Sequence, residues 1–266
     1  MSYTILTFCS ENYLDAFKFS IGSWLKTKAD KIVIYTDFDL KFGSKKVEII
    51  KYFEPGNDWI VNVGRKVTAA LHYLQHNDTK QIAFLDMDCY VIDDFSEVFE
   101  WNYDLAVTRF FSKRADTITS GVWFAHVNKR VIAFMEEWDR MANKYKLQGK
   151  GIKPHWPAYE QHAFTDLVRK TYKDKSICEI LPLEERIYNC EHDNMEKWKK
   201  DCRAYHPKII HFKEKTYNNK EFVSEILELT GANKYPHFCC YCKKIWRRMK
   251  KTGKLFIVNI VKTGRK

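Results

Sequence analysis

Residues 82–94, IAFLDMDCYVIDD, decide how the chain is read. Apolar side chains from Ile82 to Leu85 run into Asp86, Met87 and Asp88, the pattern of a buried strand whose carboxyl end presents two negative charges. In an extended strand positions i and i+2 point the same way, so Asp86 and Asp88 are expected on one face and Met87 on the other. Carboxylates so close repel unless a cation neutralises them, and hard oxygen ligands suit Mg²⁺ or Mn²⁺, which keep positions open for substrate phosphates. The competing reading is a strand cap that starts a turn.

Working outward, TILTF (4–8) is a short apolar strand, followed by the polar turn Cys9-Ser10-Glu11-Asn12 and a helical pattern in LDAFKFSIGSWL (14–25). KIVIYTD (31–37) completes a βαβ unit ending in Thr36-Asp37. KVEIIKYF (46–53) is a third strand, RKVTAALHYLQ (65–75) a helix and QIAFLDMD (81–88) a fourth strand. Further strands are expected in YDLAVTRFF (103–111), GVWFAHV (121–127), SICEILPL (176–183) and KIIHF (208–212). Helices are expected in VIAFMEEWDRMANKY (131–145) and around AFTDLVRKTY (163–172), the latter after the loop QGKGIKPHWPAYEQ (148–161). Near-continuous apolar strands alternating with helices imply an α/β fold with a Rossmann-like, mostly parallel sheet covered on both faces. Ligands of such sheets sit beyond the carboxyl ends of the strands. Cys9-Ser10, Thr36-Asp37 and Asp86 to Asp88 should therefore share one crevice.

Composition describes two objects. Across 266 residues, 45% hydrophobic with 15% aromatic can fill a sizeable core, which excludes disorder for most of the chain. Of 45 lysines and arginines, eleven follow Glu228, where there is no acid, so the first 228 residues hold 34 charges of each sign. A neutral body argues against a nucleic-acid partner. The expected division is a domain over 1–235 and a basic, aromatic extension over 236–266. HFCCYCKKIWRRMKKTGKLFIVNIVKTGRK (237–266) suits an anionic membrane surface; the alternative is a solvated end with KLFIVNIV packed on the body. Cys239 and Cys242 form a C-x₂-C in which a zinc knuckle would need two more ligands, His237 being one candidate, and palmitoylation beside the basic run is a third use. No secretory pattern opens the sequence and no run of about 18 apolar residues occurs, so a reducing, cytoplasmic setting with free thiols is expected, peripheral on the membrane inner face if the tail binds lipid.

Four motifs follow one another: Asp86-Met87-Asp88, Thr119-Ser120-Gly121-Val122, Glu160-Gln161, and Ile210-His211-Phe212 with Lys213 and Lys215. In their order and separation, residues 3–215 resemble the metal-dependent nucleotide-sugar glycosyltransferases of the GT-A fold, in layout the glycogenin-like and lipopolysaccharide galactosyltransferase-like retaining enzymes. The resemblance implies hexosyl transfer from a nucleoside diphosphate sugar, UDP-sugar favoured, to a glycan or lipid-linked glycan hydroxyl. It implies Mn²⁺ or Mg²⁺ on Asp86, Asp88 and His211, with Lys213 or Lys215 on the phosphates. Thr7, Phe8, Cys9, Ser10, Thr36 and Asp37 would lie against base and ribose, Arg65 or Lys66 would approach the phosphate or donor sugar, and Ser120, Gly121, Glu160 and Gln161 would face the sugar.

Residue by residue, plainer readings stand beside these. His211 between Ile210 and Phe212 fits a satisfied half-buried histidine, and Gln161 an ordinary first-turn helix residue. Asp93-Asp94 introduce a short helix at FSEVF (95–99), and His155-Trp156-Pro157 either stack on an acceptor sugar or anchor their loop. The chain departs from the family at Thr119, usually Asn, at Glu160, usually Asp, and in the short spacing from His211 to its lysines. An inverting enzyme would need a general base for the acceptor hydroxyl, a role open to Glu160. FCSENYLD (8–15) lacks the Gly-rich phosphate loop of a sugar nucleotidylyltransferase.

Overall fold

The structure is a computed structural model and describes residues 2–56, 58–109, 118–149, 158–191 and 195–230. The basic tail with its cysteines and the segment His155-Trp156-Pro157 fall outside the described residues. The elements run β1 (Thr4–Cys9), α1 (Leu14–Trp24), β2 (Lys31–Thr36), β3 (Val47–Lys51), α2 (Trp59–His76), β4 (Gln81–Leu85), β5 (Cys89–Val91), β6 (Leu105–Arg109), β7 (Ile118–His126), α3 (Lys129–Leu147), α4 (Tyr159–Lys173), β8 (Ile180–Glu184), α5 (Glu185–Tyr188), α6 (Met195–Tyr205), β9 (Ile209–His211) and α7 (Lys220–Leu229). FSEVF forms the expected short helix, a 3₁₀ turn over Ser96–Glu100.

The main sheet has strand order β3-β2-β1-β4-β7-β6-β8. β1 to β4 pair in parallel, β6 and β8 pair in parallel, and β7 is antiparallel to both β4 and β6. Because β7 alone is reversed, its first residues sit at the carboxyl ends of its neighbours. That reversal brings Thr119, Ser120 and Gly121 to Asp86.

Alternate residues along each strand feed two cores. Ile5, Ile32, Ile34, Ala83 and Leu85 pack toward α1, α6 and α7 with Trp24, Trp198 and Ile226. Leu6, Val33, Tyr35, Ile82 and Phe84 pack toward α2, α3 and α4 with Trp123, Trp138 and Phe164. Sheet-wide burial on both faces is why the strands read as unbroken apolar runs.

Two expectations need correction. QIAFLDMD is not a strand to its end: β4 stops at Leu85, and the Cys89 N–H donates to the Asp86 carbonyl at 3.0 Å, making Asp86 to Cys89 a tight turn. Met87 is still buried, as expected. KIIHF supplies a strand as expected, β9, which pairs antiparallel with β5 apart from the main sheet, Cys89 opposite His211. An apolar run announces burial without naming its partner. The helix expected from 65 starts at Trp59, because the Asp58 side chain caps it by accepting from the Ile60 N–H at 2.8 Å. Among the described residues, no helix is long and apolar enough to cross a membrane.

Candidate functional site

Two hydrogen-bonded junctions bring the carboxylates to His211. The Asp86 N–H donates to the Gly121 carbonyl at 2.8 Å, fixing the turn after β4 to β7. The Phe212 N–H donates to the Asp88 carbonyl at 2.9 Å, fixing the same turn to β9. His211 Nε2 lies 3.1 Å from Asp88 Oδ1 and 4.0 Å from Asp86 Oδ2. The His211 side chain is 5% exposed, Asp88 14% and Asp86 26%, so the imidazole forms the floor and the carboxylates the mouth. Gly121 lies so near that a Cβ built there would meet Asp86 Oδ2 at 2.7 Å and His211 Cε1 at 2.7 Å.

The other side of the ring is held as firmly. The Asn189 side-chain amide donates to Thr119 Oγ1 at 2.7 Å, which turns its carbonyl to His211 Nδ1 at 3.0 Å. Glu191 Oε2 stands 3.2 Å from the same nitrogen, and Glu191 Oε1 pairs with Lys213 Nζ. Cys190 carries both neighbours into place: its N–H donates to the Ile209 carbonyl at 3.0 Å, and its carbonyl accepts from the His211 N–H at 2.9 Å. Burial opposes the charge on His211, yet Asp88 and Glu191 outweigh it and raise the imidazolium pKa to about 10. Burial alone would raise Glu191, but Lys213 and His211 hold it down near about 2.

Lys66, on α2, bridges the next two acids. Its Nζ is 2.8 Å from Glu160 Oε1 and 3.4 Å from Asp86 Oδ2, and Ser120 Oγ donates to Glu160 Oε1 at 3.3 Å. Burial pushes the Glu160 carboxyl up and Lys66 pulls it back. Glu160 is 2% exposed, and its Oε2 has no hydrogen-bond partner among the described residues. Gln161 follows it in the first turn of α4, half-buried. Lys215 lies in the 3₁₀ turn Lys213–Asn218.

At the ends of β1 and β2, Thr7, Cys9 and Thr36 are fully buried, Ser10 and Asp37 are 1% exposed, and half-buried Phe8 sits edge-on to Phe53 at 5.3 Å. The hydroxyls of Thr7 and Ser10 have no partner among the described residues, whereas Thr36 Oγ1 donates to the Phe38 carbonyl. Arg65 is committed here: Nη1 reaches Asp37 Oδ2 at 2.7 Å and Nη2 the Glu54 carbonyl at 2.8 Å. Lys66 is thus the α2 cation beside Asp86, and Arg65 belongs to the Asp37 side.

The sequence matches the profile of the nucleotide-diphospho-sugar transferase family over residues 27–222, about three quarters of the chain. The chain belongs to this family. Two solved structures share its fold. The glycosyltransferase GlyE of Streptococcus pneumoniae TIGR4 superposes with TM-score 0.56 at 12% identity, covering 92% of this chain and 64% of its own, so this chain spans less than two thirds of GlyE. Galactosyltransferase LgtC, solved with donor and acceptor sugar analogs, superposes with TM-score 0.51 at 11% identity, covering 86% of this chain and 95% of its own. No curated protein matches the sequence. The chain has a GT-A fold, and its family takes a nucleotide-sugar donor.

Asp88, Cys89 and His211 bring ligand atoms within 4.8 Å of one another, and Asp86 Oδ2 stands 4.0 Å from His211 Nε2. The remote nitrogen of the ring is already engaged, as in histidines that bind divalent ions. The buried Cys89 thiol lies in the same cluster, and burial first, and Asp88 second, raise its pKa. The Asp86 and Asp88 carboxylates and the imidazole are hard and borderline donors, which fit Mn²⁺ or Mg²⁺. Asn189 and Glu191 went unread in the sequence; Tyr13 and Tyr217, whose phenols are raised by burial and then by Asp88, flank the same corner and were also missed. The one legible signal for Asn189 was its place in a polar triplet between the apolar runs of β8 and β9.

Proposed function

We propose that this transferase moves a hexose from a nucleoside diphosphate sugar, UDP-sugar in the first instance, to a glycan hydroxyl, with Mn²⁺ or Mg²⁺ on Asp86, Asp88 and His211. The observation that carries the reading is that one nitrogen, His211 Nε2, lies 3.1 Å from Asp88 Oδ1 and 4.0 Å from Asp86 Oδ2. When bound, the ion supplies Lewis-acid stabilisation of charge on the departing diphosphate. The chain's own residues do the rest. Lys213 and Lys215 bring positive charge toward the phosphates, and Lys66 neutralises Glu160 and Asp86 so that an uncharged sugar can lie over them. The unpartnered hydroxyls of Thr7 and Ser10, with Phe8, Cys9, Thr36, Asp37 and Arg65, supply the walls for base and ribose.

Ser120, Gly121 and Gln161 orient the hexose, and buried Glu160 holds Lys66 and Ser120 in place behind them. Glu160 is 2% exposed and ion-paired with Lys66 at 2.8 Å, which puts it out of reach of an acceptor hydroxyl. A general base is what inversion needs, so we favour retention of configuration. The basic extension would keep the enzyme on an anionic inner membrane face beside a lipid-linked acceptor.

Thermal melting with UDP, GDP, CDP and ADP, each with and without Mn²⁺, tests the reading. A ligand at a hundred times its Kd adds about 2.7 kcal/mol to the native state. A rise with one nucleotide that requires the metal is expected; no rise with any pair would overturn it.

A further inference from the structure

Among the described residues, Glu191 is the one buried carboxylate that touches both a candidate metal ligand and a candidate phosphate cation. It is 9% exposed, its Oε2 stands 3.2 Å from His211 Nδ1, and its Oε1 pairs with Lys213 Nζ. It does not supply the hydrogen bond that sets the ring: Asn189, locked by Thr119, already does that. What Glu191 adds is charge. An anion behind Nδ1–H makes the opposite nitrogen a stronger donor to a cation. The same charge is shared with Lys213, whose side chain is 43% exposed and can swing toward solvent or a phosphate while Glu191 cannot.

We propose that Glu191 is a positioning residue that divides one negative charge between His211 and Lys213, so that the ion and the diphosphate are bound by two partners of a single carboxylate. The inference rests on the metal reading above. When a diphosphate draws Lys213 away, the full charge of Glu191 falls on His211, and the ring's hold on the ion strengthens. Donor and metal then reinforce one another through a side chain that contacts neither.

The test is Mn²⁺ affinity of the full chain, followed by electron paramagnetic resonance of the free ion with no nucleotide present, alongside melting in EDTA. Glu191→Gln keeps the shape and removes the charge; Mn²⁺ affinity, measured well below the melting point found in EDTA because His211 and Lys213 lose their ionic partner, should fall about tenfold to a hundredfold, with Glu191→Asp intermediate. Lys213→Met leaves the carboxylate wholly to His211 and should hold Mn²⁺ as tightly as wild type or tighter. Wild-type affinity in Glu191→Gln, or a loss in Lys213→Met as large as in Glu191→Gln, would overturn the proposal. Asp88→Asn is the reference that must lose the ion. If the wild-type chain itself binds no Mn²⁺, the metal reading fails first and takes this inference with it.

Discussion

Gly121→Ala adds one methyl group at the point where three elements meet. Its carbon would stand 2.7 Å from Asp86 Oδ2, 2.7 Å from His211 Cε1 and 3.2 Å from His211 Nδ1. Ordinary carbon contacts are about 3.5–4.0 Å, so something must retreat on two sides at once. Neither neighbour is free to do so. Asp86 is tied to Gly121 through the backbone, and the imidazole is held from behind by Asn189 and Glu191. Among the described residues only Gly149 is a glycine with positive φ, so alanine at 121 meets no backbone strain and its effect is steric. Overpacking of this kind costs about 1–3 kcal/mol, which at roughly 2–4 °C per kcal/mol for a domain of this size lowers the melting point by about 2–12 °C. Metal sites tolerate only about 0.2 Å in ligand distance, so the stabilisation by Mn²⁺ and nucleotide should vanish as well. Melting by circular dichroism, with and without Mn²⁺ and UDP, reads both effects. Gly149→Ala, at φ +68° in open space, is the reference: a small loss of stability with the ligand response intact. A Gly121→Ala chain that melts and responds like wild type would refute the close approach on which the site is built.

Asp88→Asn or Asp86→Ala should leave the fold intact, since either relieves carboxylate repulsion, and should cut sugar transfer by at least about a hundredfold; full activity with a wild-type melting curve would remove the metal reading. Lys66→Met strands Glu160, so a loss of about 3–5 kcal/mol is expected in denaturant unfolding, with most of it recovered in Lys66→Met/Glu160→Gln; a mild single variant would show that the bridge is not buried in solution. Glu185 is 5% exposed with Oε1 unpaired, and burial followed by the charge of Glu191 raises its pKa from 4.5 to about 9. The folded chain therefore holds this proton longer than the unfolded chain, and stability falls as pH rises from about 4.5 toward about 9. Glu185→Gln should flatten that slope and add up to about 5 kcal/mol at pH 8; an unchanged pH profile in urea unfolding would contradict it.

The sheet was legible because burial on both faces leaves a signature in composition. IVI in β2 and IAFL in β4 can only be interior, and the polar residues that follow each of them mark the carboxyl ends. Register and direction were not legible. Nothing in GVWFAHV distinguishes a strand running with its neighbours from one running against them, yet the reversal of β7 is what carries Ser120 and Gly121 to Asp86. The Asp-x-Asp was found on an argument that the structure replaces: the two carboxylates share a side because a tight turn and two backbone hydrogen bonds aim them, not because a strand alternates.

Second-layer residues stayed hidden for a different reason. Asn189 and Glu191 gain their meaning only when α5 and the residues after it lie along β9, through Cys190 bonded to Ile209 and His211. In the sequence, Asn189-Cys190-Glu191 is a polar interruption like many others, and no spacing rule links it to a histidine twenty residues on. A ligand must expose a particular atom to an ion, which restricts residue type and so leaves a motif. A residue that orients a ligand needs only a charge or a carbonyl at the right distance, which many side chains supply from many positions. Sequence therefore exposes the atoms that touch substrate and conceals those that set their strength, and in this chain the latter are Asn189 and Glu191, where removing the one charge of Glu191 should alter the proposed metal site without altering a single ligand.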